Sequence, residues 1–174
     1  MASQWVSSGN AALGFPLPGQ VYSTNQGVAI GTRAKFRDVG TTFLGEGEFV
    51  WLPGVANTVL GSWVSYATSD GTANTGSTTL WAGTANSSFP LAVATAATVA
   101  STWGWYQVYG AAICKVSGTI AAGNSAAWQA AGVVQAAAVA TKNVEGVIAL
   151  SADAVPASGQ AIYQLSYPSA QTAV

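Results

Sequence analysis

The sequence predicts an all-β fold, a compact sandwich or barrel of about ten short strands with an extended N-terminal arm. Three observations point there. Charged residues recur at every second position, first Arg33, Lys35 and Arg37, then Glu46 and Glu48. Alternate side chains of a strand share a face, so each set lines one side of a strand. Short apolar runs are separated along the whole chain by Gly, Asn, Ser, Thr and Pro, the residues of turns. The one Ala-rich helical candidate, 125–140, is interrupted by Gly132 and followed at once by Val133 and Val134. At 174 residues the chain makes one domain, divided into an arm over 1–27 and a β domain over 28–174.

The arm carries no charge and is punctuated by Gly9, Gly14, Pro16, Pro18, Gly19 and Gly27. Trp5, Phe15, Leu17, Val21 and Tyr22 are more apolar than a solvated tail needs, so the arm docks either on a neighbouring subunit or on its own domain. Trp5, Phe15 and Leu17 are the expected anchors. The stretch from Gly31 to Tyr66 then holds six of the eleven charged residues. It reads as a three-strand meander. Ala34, Phe36, Phe49 and Trp51 form its core face, the cations oppose the carboxylates, and Leu60, Trp63, Val64 and Tyr66 form its third strand. Residues 69–79, rich in Gly, Ser, Thr and Asn, form an exposed loop; its single carboxylate, Asp70, beside Asn74, is too little for calcium.

Downstream, Thr78–Ala82 and Leu91–Ala94 read as strands, with a short helical turn before Ser101. Asn86-Ser87-Ser88 is a glycosylation sequon in form only. Trp103–Tyr109 is a strand with Trp103, Trp105, Gln107 and Tyr109 on one face. Gly110 bends it and Ala111–Val116 continues it. Val133–Ala137 and Val144–Ala149 follow, with Lys142 to Glu145 expected as a turn holding a local ion pair. Gln160–Tyr167 is the last strand, placing Tyr167 on the face of Ala161, Tyr163 and Leu165, and Pro168 ends it.

Composition narrows the function. Only 6% of residues are charged, against about a quarter in ordinary soluble domains. Half are hydrophobic, seven of them Trp. Such a surface is best covered by copies of itself or by a partner. The net charge of −1 offers no basic field for nucleic acid. No apolar run approaches the length of a membrane span, and the N-terminus lacks the pattern of a secretory signal. Cys114 stands alone, the pattern of a small buried hydrophobe. With no His, Ser-His-Asp and Cys-His catalysis are excluded, and one Cys builds no zinc site. Glu46 and Glu48 have the spacing of a carboxylate pair, but three neighbouring cations favour keeping both ionised. No catalytic, cofactor-binding or metal-binding residues are expected, and there is no P-loop, dinucleotide fingerprint or EF-hand.

The run GEGEFVWLPGVANTVLGSWVSY, then GWYQVYGAAICKV, the light Ala/Gly/Val segment and QAIYQLSYP resemble small virion structural proteins of tailed bacteriophages, the capsid decoration (cement) proteins. The resemblance spans roughly residues 30–168. It implies a non-enzymatic β-rich protein on the capsid surface of the virion, often trimeric. Its partners would be the major capsid protein and copies of itself, with no direct contact to nucleic acid or membrane. Trp5, Phe15 and Leu17 would then anchor the arm, while Arg33, Lys35 and Arg37 face an acidic shell. The alternative is a carbohydrate- or receptor-contacting β module of a phage tail or fibre, with Trp103, Trp105 and Tyr109 as its sugar-stacking platform.

Overall fold

A computed structural model describes residues 4–7, 15–40, 44–68, 76–85, 87–136 and 138–171. Their regular structure is all β. Eleven strands are formed: β1 (Trp5–Ser7), β2 (Arg33–Asp38), β3 (Glu46–Pro53), β4 (Trp63–Ala67), β5 (Ser77–Leu80), β6 (Leu91–Ala94), β7 (Trp103–Lys115), β8 (Ala126–Ala130), β9 (Val133–Gln135), β10 (Asn143–Ala149) and β11 (Gln160–Ala170). They make one antiparallel sheet in the order β1-β2-β3-β7-β11-β10-β8-β9, with β4, β5 and β6 branching from β7 through β6. The path stays open at both ends, so the sheet is not a closed barrel.

The expected meander closes only in part. β2 and β3 pair as the alternating charges require, with Lys35 opposite Glu48 and Arg37 opposite Glu46. β4, however, pairs with β5 and β6, and the other neighbour of β3 is β7. Val50 and Leu52 of β3 still meet Val64 and Tyr66 of β4, but by packing, in a cluster shared with Tyr106 and Val108. A strand with two apolar faces has two sheets' worth of partners, and its sequence does not say which it hydrogen-bonds.

Two strands were not foreseen. β1 is three residues long and exists only through its register with β2, Trp5 opposite Asp38. β8, AAWQA, is too Ala-rich to read as a strand from propensity alone. β11 runs through Pro168 to Ala170 instead of stopping there. Lys142 and Glu145 form no ion pair: Asn143 onward is strand, and the Lys142 ammonium lies 4.5 Å from the ring centre of Trp128. Residues 96–102 make turns, with no helix. The Asp70 and Asn74 loop tip and Asn86 lie outside the described residues.

The face of β2, β3 and β7 that carries Phe36, Phe49, Trp51 and Trp105 is an interlocked aromatic layer. Its ring centres lie 5.2 Å (Trp51–Trp105), 5.3 Å (Phe36–Trp105) and 5.5 Å (Phe36–Phe49) apart. Edge-on pairs of this kind add about 0.5–1.5 kcal/mol each beyond their burial. The N-terminal segment covers this layer. Trp5 stands edge-on to Phe49 at 4.9 Å, and Phe15 stacks on Trp105 at 5.7 Å. The Trp105 indole donates to the Pro16 carbonyl at 2.7 Å, and the Trp51 indole to Asn25 at 2.6 Å. The second large cluster lies under β4, β6, β7, β10 and β11, around Trp63, Leu91, Cys114, Tyr163 and Leu165. Cys114 is fully buried there, as its isolation suggested, and burial pushes its thiol well above the usual range.

Candidate functional site

Charge is scarce in this chain, and five of its eleven charged residues line one surface. Arg33, Lys35 and Arg37 are exposed along β2, and Glu46 and Glu48 answer them from β3. The sixth charge of the region, Asp38, goes elsewhere. It is 4% exposed and accepts three backbone N–H bonds, from Gln4, Gly40 and Leu44, tying β1 and the β2–β3 turn together. That role was missed, although an Asp at a strand end, two residues before a Gly, is a turn signal.

Glu48 organises what remains. Its Oε1 accepts from Arg33 Nη1 at 3.0 Å, a diagonal pair across the β2–β3 ladder. Its Oε2 accepts from the Tyr167 hydroxyl at 3.0 Å, bringing in a residue from β11. Arg33 also reaches the Tyr66 hydroxyl at 3.5 Å, and its guanidinium carbon lies 5.4 Å from the Tyr167 ring centre. Tyr109 adds a second ring, 5.4 Å from that of Tyr167 and tilted 32° to it. Five strands, β2, β3, β4, β7 and β11, thus deliver Arg33, Glu48, Tyr66, Tyr109 and Tyr167 to one place. Tyr109 and Tyr167 stay 44% and 51% exposed.

The electrostatics follow from the contacts. Partial burial opposes the charge on Arg33, but the Glu48 hydrogen bond, together with the electrostatic pull of Tyr66, Glu48 and Tyr167, outweighs it and holds the guanidinium above its ordinary value. The Tyr167 phenol is raised chiefly because it donates to Glu48. Tyr66 is raised chiefly by burial.

No family model matches this chain, no curated protein matches it, and no solved structure does. The site therefore stands on its own geometry.

The sequence-derived candidates fall into three groups. Arg33 is in the cluster. Lys35 and Arg37 flank it, exposed and without a salt bridge among the described residues. Trp5, Phe15 and Leu17 lie away from it, packed against the aromatic layer of their own chain. Trp103, Trp105 and Tyr109 do not form a shared platform. Trp105 is fully buried, and a bulge sets Gln107 opposite Phe49 but Tyr109 opposite Glu48. One extra residue, Val108, takes Tyr109 off the Trp105 face. Tyr167 also leaves the face of Tyr163 and Leu165 through an irregularity in β11, and sequence reasoning missed it for that reason. Glu46 and Glu48 lie on one strand face as expected, but Glu48 has both oxygens engaged and Glu46 is exposed. Among the described residues no group of three His, Cys, Asp or Glu side chains is placed to hold a metal. Among the described residues no helix is long and apolar enough to cross a membrane.

Proposed function

We propose that this chain is a non-enzymatic decoration (cement) protein, which seats on the outer surface of a tailed-phage head and braces the shell. The observation that supports it most is a pair of large apolar side chains, Ile148 and Leu150, left exposed at the end of β10. Leu150, just past β10, donates its backbone N–H to Ile162 of β11, which pairs with the buried Ile113 of β7, and Ile148 lies two residues before Leu150. Ile148 is 47% and Leu150 49% exposed. This face continues the layer that the N-terminal segment covers over β2, β3 and the first half of β7. Large apolar side chains left side by side on a charge-poor surface favour a protein partner. A shell offers the same contact at every symmetry-related position, so a modest contact repeated many times is enough to hold the lattice. Lys35 and Arg37, exposed on β2, suit carboxylates of the major capsid protein or of a second copy of this chain.

Purified protein mixed with undecorated, expanded heads should bind saturably at a fixed copy number. Replacing both Ile148 and Leu150 with Lys should abolish that binding while the denaturation midpoint stays close to wild type. Heads that take up no fixed number of copies of the wild-type protein would reject the proposal.

A further inference from the structure

Two strand distortions meet at the Tyr109–Tyr167 cluster. In β7, Val108 is the extra residue opposite the Glu48–Phe49 step, and Gly110 takes φ +92° just beyond it. The Gln107 side-chain amide donates to the carbonyls of Tyr109 and Ala111, at 3.0 and 2.9 Å. The backbone acceptors that the bulge frees are thus satisfied from inside. In β11, residues 166–168 oppose Gly146 alone between the Leu165–Val147 and Ser169–Glu145 pairs. Tyr167 is held at φ +51° and Gly146 at φ +73°. A tyrosine in this left-handed region is strained, because its Cβ crowds the backbone there.

The two distortions have one surface consequence in common. Each takes a tyrosine out of an alternating pattern that would have buried it and sets it in solvent beside the other. Bulges next to functional sites re-aim side chains in this way. Glu48 then fixes the result, holding the Tyr167 hydroxyl with one oxygen and Arg33 with the other.

We propose that Tyr109, Tyr167, Arg33 and Glu48 form a binding site for a neutral saccharide. The two exposed rings offer apolar faces to the C–H side of a pyranose, and their amphipathic edges tolerate water. The guanidinium and carboxylate sit in contact, so those two charges cancel, while Lys35 and Arg37 flank the pair along β2. An anionic ligand meets Glu48 and a cationic one meets Arg33, whereas hydroxyl groups donate to one and accept from the other. The footprint, two rings and one ion pair, is that of one or two sugar residues. It is far below the roughly 800 Å² per partner of a standard protein interface. Because the Tyr167 ring is already pinned, little side-chain entropy remains to be lost on binding. The site shares no residue with the Leu150–Ile162–Ile113 face, so the proposal does not rest on shell binding.

The test is titration of the full chain with a panel of neutral gluco-, galacto- and manno-configured oligosaccharides, read by calorimetry and by saturation-transfer NMR. Saturable binding to at least one is expected, with saturation transferred to tyrosine ring protons. Tyr109→Ala and Tyr167→Ala should each weaken it about tenfold, without moving the denaturation midpoint by more than a few degrees and without changing uptake by heads. Tyr109→Phe, which keeps the ring, should retain binding. The proposal is overturned if the folded wild-type protein binds none of the panel, or if binding survives in the Tyr109→Ala/Tyr167→Ala double variant. It is also overturned if that double variant loses attachment to heads instead, which would make the cluster a protein contact.

Discussion

Trp105 and Tyr109 stand four residues apart on one strand, at positions that simple alternation puts on the same face. Trp105 is fully buried between Phe15, Phe36 and Trp51, with its indole nitrogen bonded to Pro16. Tyr109 is 44% exposed against Tyr167. A single inserted residue separates the two outcomes. The regular half of β7 serves stability and the irregular part serves presentation, because a side chain whose place in the alternation faces the core can be turned outward only where the ladder is broken.

The largest expected effect comes from the regular half. Trp105→Ala removes the ring on which Phe15 and Phe36 pack and orphans the Pro16 carbonyl. It should destabilise the fold by about 3–5 kcal/mol, measured by chemical denaturation. If the loss is under about 1 kcal/mol, the aromatic layer is not the anchor of the N-terminal segment.

Gly110→Ala attacks the irregular part directly. A Cβ there would lie 2.5 Å from the Glu46 carbonyl oxygen, on a backbone held at φ +92°. The expected loss is about 1–3 kcal/mol, together with an altered Tyr109 environment in near-ultraviolet circular dichroism. An unchanged spectrum would mean that Gly110 does not set the Tyr109 position.

High pH separates buried from presented tyrosines. Burial raises the phenols of Tyr66, Tyr106 and Tyr163, and the thiol of Cys114, above their ordinary values. A raised value means that the folded state holds its proton more tightly than the unfolded chain does. That stability is complete below the ordinary values, near 9 for the thiol and 10 for the phenols. It is lost as pH climbs through the raised ones, so the denaturation midpoint should fall at strongly alkaline pH. Tyr167 is raised by its bond to Glu48 rather than by depth. Glu48→Gln should bring it back toward the ordinary value in a difference-absorbance titration, leaving the phenols of Tyr106 and Tyr163 unmoved.

The smallest effect should be Tyr109→Ala, within about 0.5 kcal/mol of wild type, as for an exposed side chain outside the core. A larger loss would make the exposed ring structural and erase the contrast with Trp105.

The alternating signal that revealed β2 and β3 also made their pairing legible, because Arg33, Lys35 and Arg37 answer Glu46 and Glu48 only when those strands pair. Leu91–Ala94 and Val144–Ala149 were legible by the same rule, as runs bounded by turn residues. β1 was not, since three residues carry no period and Trp5 is placed by its partners Asp38 and Phe49. Of the candidate site, only Arg33 and Glu48 were readable as neighbours. Tyr66, Tyr109 and Tyr167 come from strands far apart in the chain, and nothing local marks their meeting.

The order of residues alone determined that this chain folds as β structure, that its charges concentrate on one ladder, and that Cys114 is interior. These follow from period, composition and side-chain chemistry, which act over a few neighbouring residues. Tertiary structure decided that the N-terminal segment covers its own sheet, that β4 turns away from β3, and that two tyrosines leave their alternation to share Glu48. Those outcomes depend on which distant strands compete for the same edge or face, and on bulges whose strain is repaid only by contacts from the far end of the chain.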